Sequence, residues 1–594
     1  MTPHQAPSPW AMPPVWWRRW QRSDLPGDLS AGLVVAVMLV PQSLAYAMLA
    51  GLPPHAGLLA SILPLLAYAV FGDSRTLSVG PAAVTSLMVA HALSPLALAG
   101  SPLYVLLSAL LAVASGALML VMGVLRMGFL SQLMSRPVVQ GFTVASALLI
   151  LAGQLGPLLG TRGLGHTLPD MWQTVASRWG TAADVMPGVD AMVGMTSLLA
   201  LWVGPRWLGR VRQGGPGLRA SWLLGRLWPL LVLTLSGALA WWWASTNGPQ
   251  VQVVGPLSLG RPGEVWSLLG PELTWRMAGD LVLPVLLVSL VGFVSSMSVA
   301  QTFALKHGDR VDADRELLGL GLANLGGGLL GGLAVSGGLS RTVVNEAAGA
   351  RSPLAGVITA VLLVLLIALV LPALAWLPRA TLSAVIIMAV ANLVTWAPWR
   401  ATWAYDRADA GAFASTLLGV LLLGFEVGLL VGLVWSLGAM VWRHSQPHVA
   451  EVGRVPGTEH FRNVDRHQVE RLPGVLMVRV DESLEFTNIQ RVEQGVMAML
   501  ARRPGTRTLV LLMSAVNHVD HTALQALIEW QQGLAQQGIT LCLTDIKGPV
   551  ADRLHATPWW EHMQAHVFLS ANHAWQALSQ TFINGSGSTH HTRC

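Results

Sequence analysis

The stretch of chain from Leu29 to Gly72 contains no Asp, Glu, Lys or Arg. A helix needs about 20 apolar residues to cross a bilayer, so this stretch is long enough to cross twice. The whole chain of 594 residues has the same character, being 53% hydrophobic and only 11% charged. Soluble domains carry roughly a quarter charged residues. The sequence therefore predicts a polytopic α-helical membrane protein.

Apolar runs divide the first three quarters of the chain into fourteen predicted spans. They cover approximately 30–50, 56–72, 81–94, 103–124, 137–160, 188–204, 222–245, 279–304, 316–332, 339–350, 354–372, 381–396, 410–424 and 427–443. The third and tenth are short. Seven spans in each half would invert the second half relative to the first, as in inverted-repeat transporters. We therefore predict two inverted seven-span repeats.

The distribution of arginine and lysine predicts the orientation, because cytoplasmic loops are enriched in both. With the N-terminus inside, the predicted inner loops carry most of the basic residues, and the outer loops fewer. The exceptions in outer loops are Arg162, Arg178, Arg261, Arg276 and Arg379. We expect both termini in the cytoplasm and the protein in the inner membrane. Residues 1–28 lack a cleavable signal pattern and are expected to be a cytoplasmic segment.

The composition changes after Arg443, where the predicted transmembrane domain of residues 29–443 ends. Residues 444–472 are polar and are expected to be a linker. Three strand patterns and two helical patterns follow, at Val475–Val480, Thr487–Leu500, Thr508–Met513, His521–Gln537 and Ile539–Leu543. They predict a small cytoplasmic α/β domain over residues 473–582. The remaining residues, 583–594, are expected to be a disordered tail.

One interrupted stretch lies between two apolar runs, at Leu333–Glu346. Flexible or polar residues mark the break: Ser336, Gly337, Gly338, Ser340, Arg341 and Thr342. A broken helix at membrane depth has unpaired backbone N–H groups, which lipid cannot satisfy. These groups carry the positive end of the helix dipole and suit an anion. With an arginine beside them, an anion is the leading hypothesis for the ligand.

A second interrupted stretch, Thr76–Ser86, occupies the corresponding place in the first half. A short strand pattern ends at Gly80 and Pro81, and a helical pattern follows. Two Gly/Pro-interrupted segments in corresponding places of two halves indicate a transporter site. The alternative is two ordinary turns between helices, with Arg341 reaching a lipid headgroup.

Several other classes of function are disfavoured. The arginines lie between apolar runs, so nucleic-acid binding is not expected. Cys542 and Cys594 are the only cysteines and support neither a disulfide framework nor a zinc site. The α/β domain lacks a nucleophile–base set and a phosphate-binding loop, so we expect no enzyme, cofactor or metal. His518 and His521 have the spacing of a ligand pair, but flanking a helix is the preferred interpretation.

Three motifs resemble the sulfate permease (SulP) family. They are Pro41–Pro54 (PQSLAYAMLAGLPP), Gly72–Pro81 (GDSRTLSVGP) and Gly337–Glu346 (GGLSRTVVNE). The α/β domain resembles the STAS domain that ends most chains of this family. The resemblance implies fourteen spans, a core that carries the substrate, a gate that mediates elevator-like alternating access, and a homodimer in the lipid bilayer.

The resemblance also implies a binding site for a small inorganic anion between the third and tenth spans. Its residues would be Gln42, Tyr46, Ala82, Ala83, Val84, Thr85, Ser340, Arg341 and Thr342. Gln42 and Tyr46 lie one helical turn apart and share a face. The alternative for these two is packing between helices. The alternative for Thr85 and Thr342 is capping or bonding to the preceding turn.

One position departs from the family pattern. Many bacterial and plant members carry a carboxylate, linked to proton or sodium coupling, near the position of Ser295, where this chain is uncharged. We expect an exchanger or a weakly coupled uniporter. Asp280 and Glu346 could substitute for the carboxylate, although both are predicted near span ends. Glu346 could instead pair with Arg341 or Arg351.

The substrate and the regulation stay open in the sequence. Sulfate is the family default, and bicarbonate, chloride or a dicarboxylate would use the same helix dipoles. A channel-like anion conductor without coupled turnover is the alternative to a secondary transporter. Thr522, near a helix start in the α/β domain, occupies a place where related bacterial regulators are phosphorylated. Capping is the alternative role for Asp520 and Thr522.

Overall fold

The computed structural model describes residues 16–17, 20–132, 134–161, 167–178, 188–211, 218–247, 251–255, 264–268, 270 and 274–584. The predicted tail lies outside the described residues from position 585 onward, as does most of the predicted N-terminal segment. The chain divides into two units, Met1–Ser436 and Leu437–Cys594. Each unit has its own hydrophobic core.

The helices of the first unit follow the predicted apolar intervals. They are α1 (Leu25–Leu49), α2 (Pro54–Leu59), α3 (Leu63–Phe71), α4 (Ala83–Leu93), α5 (Pro102–Val124), α6 (Arg136–Leu158), α7 (Leu168–Arg178), α8 (Val189–Val211), α9 (Leu218–Asn247), α10 (Trp275–Asp280), α11 (Val282–His307), α12 (Ala313–Leu329), α13 (Leu339–Ala347), α14 (Leu354–Leu374), α15 (Arg379–Ala391), α16 (Ala397–Tyr405), α17 (Arg407–Leu423) and α18 (Phe425–His444), which continues into the second unit. Each predicted interval overlaps one helix or a consecutive pair, α2 with α3 or α10 with α11, whereas α7 and α16 lie outside the predicted intervals. The unit also contains two short strands, β1 (Val79–Gly80) and β2 (Ser336–Gly337).

Helix length distinguishes the helices that are long enough to cross a membrane from shorter ones that reach about half way. Within the described residues, six helical stretches are long and apolar enough to cross a membrane unaided, and they include α5, α6 and the stretch that contains α11. By contrast, α4 has 11 residues and α13 has 9. At about 1.5 Å per residue neither reaches across a hydrocarbon core of about 30 Å. Both helices are therefore of half-span length, and a short strand precedes each.

The helices of the first unit pack in two groups that combine both halves of the chain. In the first group, α12 lies against α3 and α5, and α14 lies against α1 and α3. In the second group, α6 lies against α15 and α17, and α15 also lies against α8. The contact between α5 and α12 is close enough to require glycine, since a Cβ on Gly116 would lie 2.6 Å from the Gly321 carbonyl oxygen.

A buried carboxylate joins the beginning of α1 to the beginning of α14. Asp28 is 0% exposed. Its Oδ1 accepts hydrogen bonds from the backbone N–H groups of Arg351 (2.8 Å) and Ser352 (3.0 Å), and its Oδ2 accepts one from the Ser352 hydroxyl (2.6 Å). A negative group at the start of α14 is also favoured by the helix dipole.

The second unit is built on a six-stranded sheet in the order β4-β3-β5-β6-β7-β8. Its strands are β3 (Val449–Arg454), β4 (Phe461–Asn463), β5 (Val475–Val480), β6 (Thr508–Leu512), β7 (Thr540–Thr544) and β8 (Val567–Phe568). Its further helices are α19 (Ile489–Ala501), α20 (His521–Gln536), α21 (Gly548–His555), α22 (Pro558–Met563) and α23 (Ala571–Asn584). Strands β5 to β8 are parallel, which agrees with the helices that connect them. One face of the sheet packs with α19 and α20, and the other with α23.

The structure differs from the expectation of a linker over residues 444–472. Strands β3 and β4 lie in this stretch, and β3 pairs antiparallel with β5. The two strands extend one side of the sheet, with β4 at its edge. Only alternate positions of β3 are fully buried along most of its length, and none of β4 is. A half-buried strand at the edge of a sheet can have a polar composition, and the sequence analysis therefore did not recognise β3 and β4 as strands.

We predict that Asp28→Ala destabilises the first unit more than Asp24→Ala does. The first change leaves two buried N–H groups without their acceptor and should cost about 1.5–3 kcal/mol. Asp24 is a matched control because its Oδ2 accepts a comparable bond, from the Gln21 N–H, at an exposed position. The measurement is the melting temperature of the purified protein in detergent. Equal melting temperatures for the two variants would contradict the role assigned to Asp28.

Candidate functional site

The two interrupted segments meet in the structure. Strand β1 pairs antiparallel with β2, with Val79 opposite Gly337 and Gly80 opposite Ser336. Helix α4 begins three residues after β1, and α13 begins two residues after β2. The pairing therefore brings the N-terminal ends of both half-span helices to one place. It also gives backbone partners to residues that could not find them in lipid.

Buried side chains from two longer helices hold β2 in position. The Asn324 amide, on α12, accepts a hydrogen bond from the Val335 N–H (2.9 Å) and donates one to the Val335 carbonyl (3.0 Å). The Ser296 hydroxyl, on α11, accepts a bond from the Gly337 N–H (2.8 Å). Both side chains are 0% exposed. Sequence reasoning missed these roles, although polar residues inside apolar spans are the signal that could have indicated them.

A cavity of about 300 Å³ lies at the starts of α4 and α13. Most of the predicted site residues line it, namely Gln42, Tyr46, Ala82, Ala83, Val84, Ser295, Ser340 and Arg341. Further lining residues come from α6, including Val139 and Thr143, and from α15, including Ala389. The half-span helices pack with the first group, since both α4 and α13 lie against α1. The cavity therefore lies between the first helix group and the second.

Arg341 is the most deeply buried cation of this cavity, with an exposed fraction of 1%. Its Nη1 donates a hydrogen bond to the Pro81 carbonyl (2.6 Å), and its Nη2 contacts the Ser336 carbonyl at 3.4 Å. The side chain thus bridges the two interrupted segments. Its Nε has no partner, and among the described residues no carboxylate lies within ion-pair distance of it.

Two glycines make room for the Arg341 side chain. A Cβ on Gly80 would lie 3.0 Å from Nη1, and a Cβ on Gly338 would lie 3.0 Å from Nη2. Such contacts are tighter than ordinary van der Waals packing. The glycines that interrupt the two segments therefore serve the position of the guanidinium as well as the turn of the chain.

The amide of Gln42 is weakly engaged by protein groups. Its Nε2 lies 3.4 Å from the Tyr46 hydroxyl and 3.5 Å from the Ser340 hydroxyl, and its Oε1 has no partner. These contacts are longer than ordinary hydrogen bonds. Both Gln42 and Tyr46 line the cavity. Their contact with a ligand stays a prediction.

The two predicted threonines bond to backbone. Thr85 donates to the Ala82 carbonyl (3.0 Å) and Thr342 donates to the Gly338 carbonyl (2.8 Å). Thr342 also accepts a bond from the Ser78 N–H (3.2 Å), which ties α13 to β1. Neither threonine is among the described residues that line the cavity. Their hydroxyl groups therefore have the alternative role, bonding to the preceding turn.

The cavity has no carboxylate among its described lining residues, and Ser295 lies on its wall. Glu346 lies at the far end of α13, where it pairs with Lys306 (2.6 Å) and His307 (3.4 Å). The suggested pairing of Glu346 with Arg341 or Arg351 is therefore wrong. Asp280 is exposed at the end of α10. Neither acidic residue occupies the position that Ser295 holds.

The second unit contains the segment with Thr522 near the start of α20. Asp520 caps this helix by accepting a hydrogen bond from the Ala523 N–H (2.7 Å), and it also accepts one from the Phe486 N–H (2.8 Å). Thr522 is exposed. Its proposed regulation stays a prediction. The His518 ring contacts Arg553 at 2.9 Å, which accounts for its position beside the helix.

We predict that Asn324→Leu destabilises the first unit by about 1–3 kcal/mol, because it leaves both backbone groups of Val335 buried and unpaired. Asn392→Leu is the control, since Asn392 is exposed at the end of α15. The melting temperature in detergent should fall for the first variant and change little for the second. An unchanged melting temperature for Asn324→Leu would mean that β2 does not depend on this amide.

Comparisons with known proteins cover nearly the whole chain. Residues 25–416 match the Sulfate permease family and residues 466–574 match the STAS domain. A probable sulfate transporter of Mycobacterium tuberculosis strain H37Rv is 31% identical over 583 residues, which cover 97% of this chain and 100% of that protein. The chloroplastic Sulfate transporter 4.1 of Arabidopsis thaliana is 32% identical over 531 residues, which cover 87% of this chain and 75% of that protein.

Solved structures share the fold. The murine Solute Carrier 26 family member A9 anion transporter in the inward-facing state has a TM-score of 0.84 and 22% identity, covering 95% of this chain and 93% of that chain. The transmembrane domain of the cyanobacterium bicarbonate transporter BicA has a TM-score of 0.57 and 20% identity, covering 70% of this chain and 99% of that chain. These similarities confirm the predicted helical membrane fold with a C-terminal STAS domain. The chain belongs to the sulfate permease family.

Proposed function

We propose that the protein is a secondary active transporter of an inorganic anion, with sulfate as the favoured substrate, and that the anion binds in the cavity at the starts of α4 and α13. The observation that carries this proposal is the buried Arg341 side chain, which has no carboxylate partner among the described residues and lies beside two helix N-termini. A buried cation without a counter-charge is unfavourable unless an anion joins it. A transported anion supplies that charge.

Backbone donors support the same site. The first intrahelical bonds of the two half-span helices are donated by the Ser86 N–H and the Thr342 N–H. The N–H groups of residues 83–85 and 339–341 come before these bonds and have no carbonyl to bind within their own helix. Pre-positioned amides at a helix start are a favourable environment for an oxyanion, which offers several acceptor oxygens.

The charge of the site favours a dianion. Each helix start contributes about half a positive charge and the arginine contributes one, so the site offers about two positive charges in all. Sulfate carries two negative charges, whereas chloride and bicarbonate carry one. The two relatives described above bear the name of sulfate transporters, which also supports this choice.

The position of the cavity supports alternating access. Its walls come from α1, α4, α11 and α13 on one side and from α6 and α15 on the other. A slide of the first helix group against the second would carry the site across the membrane while the site itself stays intact. We include this elevator-like movement in the proposal, together with cytoplasmic termini, an inner-membrane location and a homodimer.

The proposal predicts saturable sulfate uptake and counterflow in proteoliposomes, with Arg341→Ala lowering uptake at least tenfold. Removal of the guanidinium takes away half of the positive charge of the site and leaves the Pro81 carbonyl without its partner. Arg400→Ala is the matched control, because Arg400 is exposed. Competition by unlabelled sulfate, bicarbonate, chloride and oxalate ranks the substrates. Uptake that does not saturate, or a large unitary conductance, would instead indicate a channel.

A second prediction concerns coupling. Since no described residue of the cavity wall is a carboxylate, uptake should not be stimulated by a proton or sodium gradient. Ser295→Glu should make transport rise as the pH falls, because protonation removes the added negative charge from the cavity. Ser295→Gln, of similar size and uncharged, should show no such dependence. Strong stimulation of the wild-type protein by either gradient would rule out the expected exchanger or weakly coupled uniporter.

A further inference from the structure

A second polar cavity lies away from the anion site, near the other end of α13. Its volume is about 230 Å³, and it shares no lining residue with the first. Six of its lining residues are ionisable: Asp73, Arg75, His307, Asp309, Arg310 and Arg351. They come from the segment before β1, the end of α11, the loop that follows it and the loop after α13.

The charges in this cavity do not cancel. Arg75 pairs with Asp309 at 3.2 Å, and Asp73 accepts a hydrogen bond from the Asp312 N–H at 2.7 Å. Arg310 and Arg351 have no carboxylate within ion-pair distance among the described residues. Three arginines therefore face two aspartates in this cavity, and two of the guanidinium groups have no carboxylate within ion-pair distance among the described residues. Paired arginines of this kind bind a phosphate group well, because each presents a planar fork of N–H donors.

The position of Arg351 is fixed by its backbone. Its N–H donates a hydrogen bond to Oδ1 of Asp28 (2.8 Å), the buried carboxylate that joins the beginning of α1 to the beginning of α14. The side chain is exposed and extends from a fixed point of the main chain. A basic group held in this way loses less conformational entropy when it binds a ligand than one on a free loop.

Most of the remaining lining residues are apolar or aromatic, and Ser74 and Thr76 are the polar ones. The apolar and aromatic residues include Trp16 and the buried Phe303, together with Val311. The Trp16 indole donates a hydrogen bond to the Ala69 carbonyl (2.7 Å), close to the end of α3. Tryptophan is enriched where membrane helices reach the headgroup level. A cavity that combines arginines with aromatic and aliphatic groups matches a lipid headgroup better than a small free ion.

We propose that this cavity binds the phosphate group of an anionic membrane phospholipid, with Arg310 and Arg351 as the recognising residues. It lies on the side that the distribution of arginine and lysine assigns to the cytoplasm, where basic pockets among helix ends bind such headgroups. The site is independent of the proposed transport activity. It adjoins both interrupted segments, since the Asn345 side chain of α13 donates to the Thr76 carbonyl at 2.8 Å beside the cavity.

The test is lipid binding by the purified full-length protein, measured by native mass spectrometry with phosphatidylglycerol and phosphatidylcholine as probes. The wild-type protein should bind phosphatidylglycerol more tightly than phosphatidylcholine. The double variant Arg310→Gln/Arg351→Gln should bind phosphatidylglycerol at least tenfold more weakly. The matched control, Arg400→Gln/Arg407→Gln, removes two exposed arginines elsewhere and should stay within twofold of wild type.

A parallel titration with inorganic phosphate identifies the source of the phosphate group. Failure of millimolar phosphate to displace the lipid supports a headgroup site, and displacement supports a phosphate site open to soluble anions as well. Equal phosphatidylglycerol binding by the wild type and the Arg310/Arg351 variant would overturn the proposal, as would equal affinity for the two lipids. The double variant Arg310→Lys/Arg351→Lys, which keeps both charges, should bind with intermediate affinity and excludes misfolding as the cause.

Discussion

The hydrogen-bonding requirement of backbone within a membrane governs the centre of this structure. Helices α4 and α13 are too short to span the membrane. The backbone that precedes each of them therefore needs hydrogen-bond partners that lipid does not provide. The pairing of β1 with β2 supplies these partners, and Asn324 and Ser296 supply the rest. The same arrangement leaves the first amides of α4 and α13 directed toward a shared space. The pairing that gives hydrogen-bond partners to β1 and β2 thus leaves the first backbone N–H groups of α4 and α13 without partners in their own helices.

Arg341 adds a positive charge to this cavity, and the two interrupted segments hold its side chain in position. Its guanidinium bonds to carbonyl groups of both interrupted segments, and glycines on both segments leave space for it. Carbonyl oxygens stabilise the side chain without neutralising it. The result is a positive site on a rigid support, with a second helix group opposite it to complete the cavity. In the proposed transport cycle, binding and release of an anion depend on the relative position of the two groups.

The sequence predicted the features that depend on residues close to one another in the chain. Glycine and proline interruptions, apolar intervals and the family resemblance together predicted most of the membrane helices and eight of the residues that line the cavity. The roles of Asn324 and Ser296, and the bond that Thr342 accepts from Ser78, were beyond reach because each depends on which backbone group another segment presents. Strands β3 and β4 escaped notice for a related reason. Strands at a half-buried edge have a polar composition, and β3 is recognised as part of the sheet only from its pairing with β5.

The long separation in sequence between β1 and β2 has a consequence for biogenesis. Val79 finds its partner in Gly337, so the first interrupted segment enters the bilayer before its partner has been synthesised. Until the ribosome has passed the second half, α4 has neither its strand pairing nor the guanidinium of Arg341 beside Pro81. The strand pairing and the contact between Arg341 and Pro81 can therefore form only after residue 341 has been synthesised.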